Sequence, residues 1–299
     1  MTAILLLGGS GFIGRHVRAL LEADPRVTSL TCAGRARLDL LNAGTAEVAE
    51  LLRESGASVV LSCVGRLTGP ADLLLRANAG VVAQLIEAMG QVCPRGRLVR
   101  LGSAAEYGVT PPGTTAGEDD PARPVSFYGV SHLAGTGLVG NAPVEALSLR
   151  VFNPVGPGVS AQNVLGRAAA LFAEAVATGQ RAVRMGSLGA MRDFVDVRDV
   201  AAAVVAAAFA GPAGVYNVGS GQAVPVRLPV RLLAQEAGFS GEILEEEDES
   251  ARSAGVTWSQ ADIGRARRLL GWSPQIPLTA SVREMWLELE GARCAASSP

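Results

Sequence analysis

Short β-type apolar runs alternate with longer helical segments through the first half of the chain. The runs are Ala3–Leu7, Val27–Cys32, Ser58–Cys63, Leu98–Leu101 and Leu147–Phe152. Between them Gly14–Ala23, Ala46–Ser55, Asp72–Gln91 and Ser126–Val139 read as helices. Near-continuous apolar strands alternating with helices predict an α/β fold, a Rossmann-type doubly wound parallel sheet covered on both faces. Ligands in such sheets sit beyond the carboxyl ends of the strands, where the crossovers change direction. The turns after Leu7, Cys63 and Leu101, and the segment after Phe152, are therefore expected to line one cleft.

After Pro157 the rhythm changes. A helix-like stretch, Gly166–Gly179, leads to Met191-Arg-Asp-Phe-Val-Asp-Val-Arg-Asp199 and an alanine-rich helix, and the mixed remainder ends in Trp286–Glu290. The acidic run Glu245–Glu249 reads as a solvated loop and Ala292–Pro299 as a frayed tail. There is no internal repeat. This pattern divides the chain into a cofactor-binding part, residues 1–157 with 193–217 returning to it, and a smaller substrate-binding part, residues 158–192 and 218–299.

The first strand carries the sharpest local signal. Leu5-Leu6-Leu7 runs into Gly8-Gly9-Ser10-Gly11-Phe12-Ile13-Gly14, with glycines spaced three apart at Gly8, Gly11 and Gly14 and a helix following. The first glycine allows a tight turn, the second lets backbone N–H groups approach a pyrophosphate, and the third lets the helix pack close to the strand. Helix N-terminal N–H groups and dipole favour the phosphate charge. Dinucleotide binding follows.

Composition narrows the field. The chain of 299 residues is 48% hydrophobic and 18% charged, with a net charge of −2. Such a balance gives no electrostatic support to nucleic-acid or anionic-membrane binding. The apolar start is short, lacks a basic leader and flows into the glycine turn, so it reads as a strand and not a signal peptide. No later segment looks like a membrane span. Cys32, Cys63, Cys93 and Cys294 form no metal-type pair and read as buried, reduced thiols of a cytoplasmic protein. No metal site is expected. All 26 basic residues are arginine, a bias that tempers any reading of a single arginine.

Several further motifs carry a resemblance. They are Asn78 in Arg76-Ala-Asn-Ala, Ser103 in Gly-Ser-Ala-Ala-Glu-Tyr-Gly, Tyr128, Asn153-Pro-Val-Gly-Pro, Arg192-Asp-Phe-Val-Asp-Val, Tyr216-Asn-Val-Gly-Ser-Gly and Leu270-Gly-Trp-Ser-Pro. With the glycine run, they make the chain resemble the extended short-chain dehydrogenase/reductases, the NAD(P)-dependent epimerase/dehydratase family of sugar-nucleotide enzymes, over nearly its whole length. The resemblance implies that the glycine turn, Cys63-Val64-Gly65 and Asn78 meet the cofactor. Members that bind NAD usually end the second strand with an acid on the adenosine ribose. Here Leu30–Arg37 offers no carboxylate before Asp39. Arginine pairs bidentately with a 2′-phosphate that an acid would repel, so Arg35, with Arg37 in support, argues for NADP(H), with NAD(H) the alternative. Asp39 and Leu40 are placed near the adenine.

The family pairs Ser or Thr with Tyr-x-x-x-Lys. Ser103 and Tyr128 match; the lysine position is His132, one helical turn from Tyr128 and on the same face. The resemblance makes Tyr128 the proton donor or acceptor and His132 a contact to the nicotinamide ribose that could relay a proton. An unperturbed histidine is mostly neutral at pH 7, so Tyr128 is expected to lose the electrostatic help a lysine gives its phenolate. Ketone reduction uses tyrosine as a protonated donor and is expected to suffer less than alcohol oxidation. The Asp-Glu pair of the sugar-nucleotide dehydratases is replaced by Ala104 and Ala105. Glu106, one residue on along a strand end, is expected to point away.

Arg192 and, by spacing, Arg252 match the arginines that clamp a sugar-nucleotide diphosphate, and Asn153 and Asn163 match amide contacts to substrate. The expected activity is an NADPH-dependent reduction of a nucleotide-linked keto-deoxysugar in bacterial secondary metabolism. Alternatives are a nucleotide-sugar 4-epimerase, a reductase of a polyketide-type ketone and a non-catalytic NADP-binding regulator. Gly129, Gly135, Gly137 and Gly140 each cost about 1 kcal/mol in a helix interior. In relatives this helix joins the one read at Asp72–Gln91 in a two-fold interface. A homodimer is expected, with early termination of the helix as the other explanation of its glycines.

Overall fold

A computed structural model describes residues 2–246 and 255–297, with side chains as far as Arg293. The chain runs β1 (Thr2–Leu7), α1 (Phe12–Glu22), β2 (Val27–Ala33), α2 (Thr45–Ser55), β3 (Val59–Ser62) and α3 (Ala71–Leu75). A π-helical turn (Arg76–Gly80) leads into α4 (Val81–Val92), then β4 (Arg97–Ser103), a 3₁₀ turn (Ala104–Glu106), α5 (Phe127–Gly140) and β5 (Glu145–Val151). Beyond it come β6 (Pro154–Val155), α6 (Val164–Thr178), β7 (Ala182–Gly186), β8 (Met191–Asp193), β9 (Val195–Asp196), α7 (Val197–Phe209) and β10 (Gly214–Val218). The remainder is β11 (Ala223–Pro225), α8 (Arg227–Glu236), β12 (Glu242–Glu246), α9 (Gly264–Leu270) and α10 (Leu278–Ser297).

Six parallel strands form the central sheet in the order β10-β5-β4-β3-β1-β2. The chain order reverses between β1 and β3, which places the ligand crevice at their carboxyl ends. Alternation along the strands feeds two cores. Ile4 and Leu6 face α1 and α7 with Val17, Leu21, Val200 and Val204; Leu5 and Leu7 face α2 and α4 with Val48, Leu52, Val82 and Leu85. β1 and β3, at the centre of the sheet, are apolar on both sides because each side is covered by helices. A third core gathers Val155, Phe172, Met185, Leu233, Val282 and Trp286 from β6, α6, β7, α8 and α10, with Phe194 from between β8 and β9. Ala261, Ile263, Ala266, Leu270 and Trp272 pack with the sheet, so the chain touches it again between the later elements.

Three expectations change. The helix read at Asp72–Gln91 is present and continuous, but a π turn joins α3 to α4, an extra residue that the apolar spacing does not announce. Of the run Glu245–Glu249, Glu245 and Glu246 are exposed but end β12 rather than lying in a loop, and Glu245 pairs with Arg227 and accepts the Leu188 N–H; positions 247–249 lie outside the described residues. The supposed tail continues α10 to Ser297. Among the described residues no helix is long and apolar enough to cross a membrane.

Candidate functional site

The glycine turn forms a cradle that side chains would fill. Gly8 has φ +76°, and a Cβ there would lie 2.9 Å from the Cys63 carbonyl oxygen. At Gly14 a Cβ would come 2.0 Å from the Gly8 carbonyl oxygen. Gly11 caps α1 without a side-chain hydrogen bond, and the first turn of α1, with Phe12 and Ile13, holds no acid. Ser10 and Gly11 are exposed. The N–H groups at this helix start are thus left for an anion, and the cradle fits a dinucleotide pyrophosphate. Beside it Cys63, Val64 and Gly65 follow β3; burial pushes the Cys63 thiol up to about 12, so it stays protonated.

Asn78 sits in the π turn and is buried. Its Oδ1 accepts the Arg66 N–H, and its Nδ2 donates to the Arg66 carbonyl and to Ser131 Oγ. Both Nδ2 hydrogens are used within the chain. Asn78 therefore buckles the loop after β3 to α5.

At the far end of the crevice β2 ends in Cys32-Ala33 without an acid, and Cys32, on this solvent-facing edge strand, is exposed rather than buried as expected. Arg35 stands exposed on the following turn, with no ion pair among the described residues, whereas Arg37 is tied to Glu54 at 2.6 Å. The Asp39 carboxylate caps its own turn, accepting from Leu41 N–H and Asn42 Nδ2, and Leu40 is buried. Asp39 is thereby occupied with holding the chain between β2 and α2.

The chemistry-bearing residues meet where β4 ends. Ser103 closes the strand, and its Oγ accepts the Ala105 N–H at 3.2 Å, leaving its hydrogen to donate. Half-buried Tyr128 lies in the first turn of α5, which begins at the Ser126 cap. The two segments are pressed together: a Cβ on Gly129 would lie 2.4 Å from the Ala105 carbonyl oxygen. The Tyr128 and His132 rings meet edge to face, 4.6 Å between centroids.

Glu106 is not on the strand. It lies on the 3₁₀ turn and is fully buried, reaching back to the Ser103 N–H at 3.0 Å and pairing with Arg150 at 2.8 Å. It does leave the cleft, as expected, but because it caps the turn rather than because of strand alternation.

His132 is buried, and Nδ1 lies 2.9 Å from Nη2 of Arg100, also buried. Burial and the Arg100 charge hold the imidazole well below its ordinary value, so the ring is neutral at pH 7. Arginine only donates, so Nδ1 accepts and the ring proton sits on Nε2. A guanidinium takes no proton from Nδ1, which closes the expected relay through His132. The expectation that Tyr128 lacks a nearby cation is corrected as well, since Arg100 stands behind His132. Sequence reasoning missed Arg100. Its signal was an arginine inside an apolar run in the middle of the sheet, as Arg150 is on β5.

On the substrate side, Asn153 Nδ2 donates to the Asp193 carbonyl oxygen, and Asn163 stands at the start of α6 without a side-chain hydrogen bond to the helix. Arg192 turns its guanidinium to the carbonyls of Met191 and Val256. Its neighbour Asp193 is buried and accepts from the N–H groups of Ser220, Gly221 and Ala261, so that acid is structural. Arg252 lies outside the described residues.

A family model described as the NAD dependent epimerase/dehydratase family matches residues 4–219. A dTDP-6-deoxy-L-talose 4-dehydrogenase (NAD(P)(+)) of Kitasatospora kifunensis is 38% identical over 95% of this chain and 94% of its own. A GDP-6-deoxy-D-mannose reductase of Pseudomonas aeruginosa is 28% identical over 96% of this chain and 97% of its own. Among solved structures, RMD of Pseudomonas aeruginosa complexed with NADPH superposes with a TM-score of 0.84, at 26% identity over 97% of this chain and 100% of that one. The UDP-glucose 4-epimerase of Thermus thermophilus, in complex with NAD, gives 0.82 at 26% identity, over 97% and 99%.

Proposed function

The chain belongs to the NAD-dependent epimerase/dehydratase family, and from that premise we propose that it is an NADP(H)-dependent reductase. Its substrate would be a nucleotide-linked keto-deoxysugar. The observation that carries this reading is a proton donor without an elimination pair. Ser103 ends β4 where the turn after it presses on the first turn of α5, which carries Tyr128; Ala104 and Ala105 form that turn, and the acid that follows, Glu106, is spent on Ser103 N–H and Arg150. Such a set suits carbonyl reduction and has no carboxylate to handle loss of water.

When bound, NADPH supplies the hydride. Gly8, Gly11 and Gly14 would hold its pyrophosphate, and Arg35 its 2′-phosphate, with Arg37 available only if it leaves Glu54. Ser103 Oγ–H would donate to the carbonyl oxygen, Tyr128 Oη–H would give that oxygen its proton, and His132 Nε2–H would be the donor available to the nicotinamide ribose. Arg192, Asn153 and Asn163 border the substrate side, where a planar guanidinium suits a diphosphate. In this reading the two cores on the sheet carry the cofactor and the third core carries the sugar nucleotide. The dehydrogenase and reductase relatives support a deoxyhexose carrier.

A homodimer is part of the proposal, built on the exposed face of α5. The test is turnover of a 4-keto-6-deoxyhexose nucleotide with NADPH. Stoichiometric loss of NADPH supports the reductase. Interconversion of two sugar nucleotides without net cofactor consumption replaces it with the epimerase. Turnover of non-sugar ketones alone moves the substrate class, and cofactor binding without any turnover leaves a regulator.

A further inference from the structure

Arg100 enters α5 from below, on β4, with its side chain buried. Nη2 donates to the Leu101 carbonyl at 2.7 Å and to His132 Nδ1 at 2.9 Å; Nη1 reaches the His132 carbonyl, Thr136 Oγ1 and Ser148 Oγ at 3.1 to 3.3 Å. None of these acceptors is a carboxylate. Glu106 is reached only through Thr136 and already pairs with Arg150. Two guanidinium groups thus share one carboxylate beneath the site. Burying a charge without a direct counter-ion is costly, and here the surplus lies one imidazole away from Tyr128.

The chain makes room for this charge. A Cβ on Gly135 would lie 2.9 Å from Arg100 Nη1 and 2.5 Å from the Asn78 carbonyl oxygen. The π turn, the helical glycine and the guanidinium occupy one another's space.

We propose that Arg100 is a positioning residue: acting through His132, it puts a fixed positive charge and a fixed Nε2–H donor behind Tyr128. A lysine at position 132 would have offered both from one side chain; here they are divided between two. The inference rests on the reading of Tyr128 as proton donor. A nearby cation favours the phenolate and a guanidinium on Nδ1 polarises Nε2–H. Tyr128 can then serve as base as well as acid, so the loss of the lysine does not by itself bar alcohol oxidation.

The other ionisable groups around α5 are accounted for. Arg150 on β5 and Glu106 on the 3₁₀ turn belong to the cluster, Arg97 on β4 pairs with Glu145, Tyr107 stacks on Arg150, and Tyr216 on β10 bonds the Pro212 carbonyl. Asp72, Arg76, Glu87 and Glu145, on α3, the π turn, α4 and β5, are exposed.

The test compares wild type, Arg100→Met and Arg100→Met/His132→Lys by the pH dependence of kcat/KM in both directions, over roughly pH 6 to 10. The limb for alcohol oxidation is expected to move up by about one pH unit in Arg100→Met, a roughly tenfold loss at neutral pH, with its high-pH plateau retained. The double variant is expected to move the limb back. Equal loss at every pH, with no movement of the limb, overturns the proposal. A second measurement needs neither turnover nor an Arg100 variant: ¹⁵N NMR of the His132 ring, assigned against His16→Asn. A neutral Nε2–H tautomer at pH 7 is expected; an Nδ1–H tautomer or an imidazolium overturns the proposal even if Arg100→Met does not fold. Failure of the wild type to turn over any sugar nucleotide, with the tautomer as expected, defeats the functional reading alone.

Discussion

Tyr128 and His132 illustrate how one side chain is defined by what lies behind it. Tyr128→Phe removes the proposed proton donor while leaving the glycine cradle intact. Turnover is expected to fall about 10²- to 10⁴-fold with NADPH affinity nearly unchanged, measured by steady-state kinetics and fluorescence titration. His132 makes a prediction about stability. Its folded-state value is depressed, by burial and then by Arg100. The unfolded chain therefore takes up a proton, from about pH 6.5 downward, that the folded chain refuses. Stability is expected to be complete above that pH and to fall as pH drops below it. Calorimetric melting from pH 8 to 5, a range of about three units, should show a shallower decline in His132→Asn than in wild type. At the other end of the crevice, Arg35→Asp should raise the KM for NADPH and leave that for NADH nearly unchanged.

At the level of elements, α5 tests the reason for its glycines. Helix propensity alone makes Gly→Ala favourable by about 1 kcal/mol at each interior position. Gly137, inside the helix and with nothing within 4 Å of its missing Cβ, should gain up to about this amount on change to alanine. Gly135→Ala should instead lose about 1–3 kcal/mol, because the new methyl overlaps the Asn78 carbonyl and the Arg100 guanidinium. Urea denaturation of the two variants should therefore move the midpoint in opposite directions. The helix does not end early; it runs to Gly140, and two of its glycines, Gly129 and Gly135, are accounted for by contacts within the chain. The π turn is the matching adjustment on the facing helix. It brings the Asn78 carbonyl toward α5 while the Asn78 amide holds the loop after β3.

For the whole molecule, the exposed side of α5 is the remaining apolar surface near the site. Phe127 is 69% exposed and Val130 43%, with Leu138 on the same helix and Leu75 on neighbouring α3 also exposed. Positions 127, 130 and 138 fall on one side of a helix. The proposed homodimer would cover them, and sedimentation should show a dimer that Phe127→Glu converts to monomer without loss of helicity. A monomeric wild type at micromolar concentration would remove this part of the proposal.

The sequence by itself determined what depends on near neighbours in the chain. Gly8–Gly14 was legible because a tight turn, an uncapped helix start and close packing are all set within seven residues. The alternation of strands and helices was legible because covering both sheet faces demands apolar strands. Ser103 and Tyr128 could be named because each lies in a short motif. The tertiary structure decided what those residues stand against. Arg100 is 32 positions from His132 in the chain, and Glu106 is 44 from Arg150, yet each pair is in contact. Hydrophobic periodicity carries no term for a buried guanidinium reaching across a helix, nor for an extra residue in one helical turn. For that reason the lysine-to-histidine change read as a lost charge in the sequence, and as a relocated one in the fold.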